Sequence, residues 1–224
     1  MTTQTMNAHP TGSQPRKILR FRAGPRLMHA MLASSFIILL GTGYILFWPL
    51  MSQYAAGGFS RWLHRIGAVI YMAIPFVYLM VDRRAAKELL WDSFHYDRDD
   101  GKWLLHFFRY FLGHAEGMPP QGRLNAGQKL HHAGVVIFSA AIVASGIVLW
   151  AGKGELGGSM LALAAIVHDI AMFVLTVLLV GHLYFTYVYH ALSGMVSGYV
   201  DEEDARLEHS KWVAALAEQD KPQK

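Results

Sequence analysis

Between Ile166 and His190 the chain reads IVHDIAMFVLTVLLVGHLYFTYVYH, an apolar stretch of membrane length that carries His168, Asp169, His182 and His190. Histidine is costly to hold at membrane depth and marks a functional site by default. His168 and His182 stand fourteen residues apart. At about 100° per residue they lie roughly 40° apart around a helix and about 21 Å apart along it. One helix therefore presents two imidazoles toward one face, one near each side of a hydrocarbon layer roughly 30 Å thick.

Three more blocks of the same kind surround that stretch. The apolar residues, 53% of 224, are gathered into long runs instead of amphipathic stripes. Helices apolar all round belong in lipid or in a very large core, and a chain this short cannot build such a core. The expected fold is all-α: an integral membrane four-helix bundle in the lipid bilayer, with spans at about 27–48, 62–81, 129–150 and 160–189. Pro75 lies inside the second span, where a bend is expected. Between the second and third spans, Trp103, Leu104, Phe107, Phe108 and Phe111 alternate with Lys102, His106 and Arg109. That interleaving predicts an interfacial helix in the long loop. Residues 1–20 read as a flexible tail, 21–200 as the membrane domain, and 201–224 as a tail with a soluble helix. The basic run Arg16–Arg26 precedes an apolar block too long for a signal h-region, so it reads as a retained first span.

The net charge of +4 does not suggest nucleic acid, because the basic residues flank the apolar blocks. Their distribution instead sets orientation. Seventeen Lys and Arg fall in the N-terminal segment, the 83–129 region and the C-terminal tail, against three (Arg61, Arg65 and Lys153) in the other two loops. The positive-inside rule places both termini and the long loop in the cytoplasm. His29 and His182 then share one depth, and His64 and His168 the other.

Neutral imidazole is a suitable axial ligand for iron, and two such ligands leave no open position for chemistry on substrate. The depth pairing predicts two bis-histidine haem sites stacked across the membrane, His64 with His168 and His29 with His182. The absence of cysteine excludes haem attached through C-x-x-C-H and cysteine-held iron–sulfur clusters. Gly41, Gly43, Gly67 and Gly181 either give a macrocycle room or serve close helix packing. His131 and His132 begin the third span; one could replace His29, line a quinone or proton path, or sit at the interface. His190 lies too near His182 for a separate site. Asp169 either orients His168 or faces the interface. His9, His95, His106, His114 and His209 lie in polar segments and receive no ligand role.

From residue 20 to 195 the chain resembles the cytochrome b (gamma) subunit of membrane-bound formate dehydrogenases. The likeness rests on R-x-x-H at Arg26–His29, R-W-L-H-R-I-G at Arg61–Gly67, N-A-G-Q-K at Asn125–Lys129 and the His168/His182 spacing. The resemblance implies four spans and two b haems, one on His64 and His168 away from the cytoplasm, the other on His29 and His182. It also implies a menaquinone or ubiquinone site near Asn125, Gly127 and Gln128; alternatively Asn125 caps the third span and Gly127 eases a turn. The expected setting is the respiratory chain of a bacterial inner membrane. There an iron–sulfur subunit and a molybdenum or tungsten catalytic subunit would be the partners, and formate oxidation would occur outside this chain. Two rivals share the pattern: a cytochrome b of a hydrogenase or another molybdoenzyme, and a haem-free anchor that uses histidines as proton relays.

Overall fold

A computed structural model describes residues 16–219. Of the flexible tail expected over residues 1–20, residues 1–15, with His9, lie outside the described residues, as do 220–224, while Lys17–Leu19 form a strand instead of a free tail. The chain opens with a short strand β1 (Lys17–Leu19), followed by the long helix α1 (Ala23–Phe47). A 3-10 turn, Pro49–Met51, and the short α2 (Ser52–Ala56) lead to α3 (Phe59–Val81). The long connection folds as α4 (Arg83–Phe94), α5 (Arg98–Leu105) and α6 (Phe107–Phe111). Next come α7 (Ala126–Ala151) and α8 (Gly158–Val188), then α9 (Leu192–Val196), β2 (Tyr199–Asp201), α10 (Glu202–Glu208) and α11 (Ser210–Gln219).

Four helices, α1, α3, α7 and α8, are long and apolar enough to cross a membrane. Their side chains explain why water cannot be their solvent. Phe76, Val177, Val180 and Met80 are 62–85% exposed at the bundle surface, and so many large apolar groups turned outward mark a lipid-facing wall. At 31 residues α8 is about 46 Å long, which overruns a hydrocarbon core of roughly 30 Å. The fold is all-α apart from one two-stranded pairing, and α3 runs on through Pro75.

The bundle consists of two hairpins. α1 packs along α3, and α7 along α8, while the pairings across the bundle are looser. Small residues bring the paired helices together. A Cβ at Gly67 would meet Leu39 at 3.3 Å, and one at Gly134 would meet Leu178 at 3.1 Å. Among the described residues a hydrogen bond between Tyr71 and Ser139 (2.6 Å) bridges α3 and α7 midway along the bundle.

The long connection differs from the one interfacial helix that its sequence suggests. Asp82 and Asp97 cap α4 and α5, and the chain breaks into three short helices. Trp103 is 1% exposed and packs with Tyr110, Ala115 and Ala126, against Phe185 and Tyr189. The aromatic run is therefore divided: Trp103 and Tyr110 turn inward, while Leu105 and Phe108 stay exposed. Lys129 reaches Asp100 at 2.7 Å to tie α7 to α5.

The C-terminal tail is docked. β2 pairs antiparallel with β1, with Ile18 opposite Val200. Arg26 donates to the carbonyls of Met195, Val196 and Ser197, which end α9. Lys211 bonds Asp97 at 2.8 Å, and Val213 is buried. Both ends of the described chain and the long connection thus form one cap on the same end of the bundle.

Candidate cofactor sites

Both depth-matched histidine pairs are brought together across the split between the hairpins. At the end away from the cap, His64 of α3 faces His168 of α8 with ring centroids 6.3 Å apart. At the capped end, His29 of α1 faces His182 of α8 at 6.0 Å. A metal bonded from opposite sides by a nitrogen of each ring at about 2.0 Å, with each ring centre about 1.1 Å further on, requires roughly 6.2 Å between centroids. Both pairs meet that spacing. Among the described residues no group of three or more His, Asp or Glu is placed to hold a metal ion. Each pair thus fits a metal whose remaining ligands come from a macrocycle.

The first pair is the better defined. Nδ1 of His64 lies 2.8 Å from Oγ1 of Thr42, on the neighbouring helix of its hairpin. Nδ1 of His168 lies 3.1 Å from Oγ of Ser145, likewise on its hairpin partner. Each hydroxyl also donates to its own helix: Thr42 to the Ile38 carbonyl and Ser145 to the Ala141 carbonyl, both at 2.7 Å. The glycine after each hydroxyl leaves space for the ring. A Cβ at Gly43 would sit 3.6 Å from His64 Cε1, and one at Gly146 would sit 3.2 Å from His168 Cε1. At Gly41 and Gly181 a Cβ would meet nothing within 4 Å.

At the capped end His131 lies flat beside His182, at 5.2 Å and 15°. That is about 1 Å too close for two imidazoles bonded from opposite sides of one metal, so for such a site His29 is the better geometric partner for His182. Among the described residues the buried Nδ1 of His132 has no hydrogen-bond partner. His190 is exposed, at positive φ just past α8. Of the remaining decoys, His209 is buried in the cap and donates from Nδ1 to the Gly122 carbonyl.

Asn125, Gly127 and Gln128 open α7. Asn125 is 1% exposed, and its side chain forms a capping box with Gln128. Its Oδ1 accepts from Gln128 N at 2.9 Å, and its Nδ2 donates to the Tyr110 hydroxyl at 3.3 Å. A Cβ at Gly127 would lie 2.8 Å from the Trp103 ring, so this glycine admits the tryptophan. Gln128 accepts from Asn125 N through Oε1; among the described residues its Nε2 is the amide group of this segment that makes no protein hydrogen bond.

Thr42 and Ser145 escape a reading that follows histidines alone. Their signal is a repeated pattern: His29-Ala30 precedes Thr42-Gly43 as His132-Ala133 precedes Ser145-Gly146, each with thirteen residues from histidine to hydroxyl.

The chain is 24% identical over 207 residues to a formate dehydrogenase cytochrome b556 subunit of Haemophilus influenzae, covering 89% of this chain and 84% of that one. It is 25% identical over 203 residues to the formate dehydrogenase cytochrome b556(fdo) subunit of Escherichia coli K12, covering 87% and 91%. The nitrate-inducible formate dehydrogenase cytochrome b556(Fdn) subunit of that organism is 21% identical over 212 residues, covering 91% and 94%. Residues 20–198, which hold all four long helices and both histidine pairs, match the prokaryotic cytochrome b561 family, and the chain belongs to that family of haem b membrane proteins.

Proposed function

We propose that this chain is the membrane anchor and electron-transfer subunit of a formate dehydrogenase complex. The observation that carries this reading is the stacking of two histidine pairs along α8, at 6.3 and 6.0 Å, in a chain whose relatives are formate dehydrogenase cytochromes. His64 and His168 hold one haem b; His29 and His182 hold the other. Haem b held by two imidazoles supplies one-electron transfer. The helices do the rest: they fix the ligands, exclude water and set the interval between the sites at about 21 Å along α8.

Both termini face the cytoplasm of a bacterial inner membrane, since seventeen of the twenty basic residues lie on that side. An iron–sulfur subunit docks at the end bearing His64 and receives electrons from a molybdenum or tungsten subunit that oxidises formate. A quinone binds beside the His29/His182 site. Asn125 and Gly127 shape that end of α7 through the cap and the Trp103 contact, and the Gln128 amide is the group suited to a quinone carbonyl. Protons for the quinone come from the cytoplasmic side.

Formate added to the purified complex should reduce the haem absorption of this chain, and added quinone should reoxidise it. The iron–sulfur partner should cross-link to residues introduced at the exposed Gln53 or Ser159. Haem that stays oxidised under formate while hydrogen reduces it would replace the formate reading with the hydrogenase one. A reporter fused at the C-terminus and found outside the cytoplasm would reverse the topology.

A further inference from the structure

We propose that Thr42 and Ser145 are positioning residues for the pair of histidines away from the cap: each locks its imidazole as the Nδ1-protonated tautomer, aims Nε2 into the split and strengthens that nitrogen as a ligand. This rests on the reading that His64 and His168 hold a haem.

The two contacts are one device built twice. In each hairpin, one helix carries the histidine and its neighbour carries a buried hydroxyl followed by glycine. Thr42 and Ser145 are 6% and 5% exposed, so neither hydroxyl is there to meet solvent. A hydroxyl has one proton to give. Thr42 gives it to the Ile38 carbonyl at 2.7 Å, and so accepts from His64 Nδ1–H at 2.8 Å. Ser145 gives its proton to the Ala141 carbonyl at 2.7 Å, and so accepts from His168 Nδ1–H at 3.1 Å. The proton thereby fixed on Nδ1 leaves the lone pair on Nε2, so that this nitrogen is the one able to bind a metal. Gly146 leaves room for the His168 ring, since a Cβ there would sit 3.2 Å from Cε1, whereas a Cβ at Gly43 would make an ordinary 3.6 Å contact with His64 Cε1.

An acceptor on the far nitrogen of a metal-bound histidine fixes its orientation and raises its basicity. A more basic ligand favours the ferric state and lowers the midpoint potential. The pair at the capped end offers an internal control, because among the described residues neither His29 nor His182 makes a hydrogen bond to a hydroxyl.

The test is redox titration of the purified full-length protein, with low-temperature EPR of the oxidised state. Variants are Thr42→Val, Thr42→Ser, Ser145→Ala and, as the reference, His64→Ala. The midpoint of one haem should shift upward in Thr42→Val and in Ser145→Ala, with its g-values altered. Thr42→Ser should restore both readouts, and the other haem should not move. Loss of that one haem in Thr42→Val, with recovery in Thr42→Ser, would support the same role. If His64→Ala removes a haem while Thr42→Val and Ser145→Ala leave every midpoint and g-value unchanged, the hydroxyls only satisfy buried histidines and the inference is overturned. If His64→Ala itself removes no haem, the site assignment fails and this inference fails with it.

Discussion

His168 and His182 stand fourteen residues apart on one helix, and each meets a histidine of a different helix, His64 at 6.3 Å and His29 at 6.0 Å. α8 is therefore the common wall of both sites. Because α1 and α3 belong to the same hairpin, the two sites share one hairpin–hairpin seam, and the seam is open enough for rings to face across it. The spacing along α8 and the looseness of cross-hairpin packing are two sides of one design: tighter packing would close the space that the imidazoles flank.

The glycines beside the rings are unequal, which gives a directional prediction. Replacing a mid-helix glycine by alanine gains about 1 kcal/mol of helix propensity. At Gly43 the new Cβ would make ordinary contacts, 3.5 Å to Met172 Sδ and 3.6 Å to His64 Cε1. At Gly146 it would press on His168 Cε1 at 3.2 Å. Gly43→Ala should keep its haem spectrum and unfold at equal or higher temperature. Gly146→Ala should perturb or lose one haem signal, read by the reduced-minus-oxidised spectrum. Identical spectra for both variants would show that the His168 ring yields to the new methyl group and that the two glycines are equivalent.

Asn125 and Gln128 separate structure from quinone chemistry. Losing an asparagine N-cap costs about 1 kcal/mol, and Asn125 also donates to Tyr110 in a buried cluster. Asn125→Ala should therefore lower the unfolding temperature. Gln128→Leu leaves the cap oxygen of Asn125 in place and should slow haem reoxidation by quinone several-fold, with both haems retained. Unchanged reoxidation kinetics in Gln128→Leu would move the quinone away from this segment, toward His131.

The docked tail should respond to pH in two opposing ways. Burial pushes Glu208 up to about 7 from 4.5, against the pull of its Tyr110 hydrogen bond and the Arg20 charge, while Asp204 pushes it further. Its protonated form is favoured in the docked tail, so docking weakens as pH rises from 4.5 to 7. Burial, with the Arg20 charge beside it, lowers His209 to about 3 from 6.5. That group favours docking more strongly as pH rises from 3 to 6.5. The Lys211 hydrogen bond holds Asp97 at about 2, below its ordinary 3.8, and acts in the same direction below pH 4. Docking should rise up to about pH 4.5, stay level to about 6.5, then fall toward 7. Hydrogen exchange of α10 and α11, corrected for the intrinsic rate, measures this. Glu208→Gln should abolish the fall above 6.5; a fall that persists in that variant would assign it to another group.

The four spans were legible because long runs of Leu, Ile, Val and Phe without charge have no other solvent than lipid. Histidine depth was legible for the same reason: a polar residue such as His168 in an apolar run declares itself. Thr42 and Ser145 were not, because hydroxyls in membrane helices ordinarily bond their own backbone, as Ser35 and Thr176 do here. The inward turn of Trp103 was hidden because its partner is a glycine, Gly127, far along the chain. The docked tail was hidden because it rests on scattered pairs, Arg26 with the end of α9 and Lys211 with Asp97, none of which forms a pattern in sequence.

Haem content per chain tests the central claim most directly. The purified protein should carry two b haems by reduced-minus-oxidised spectroscopy and haem extraction. His64→Ala and His29→Ala should each retain one, and His168→Ala and His182→Ala should remove the same haem as their respective partners. A folded, colourless protein, or two haems persisting in His168→Ala, would contradict the account.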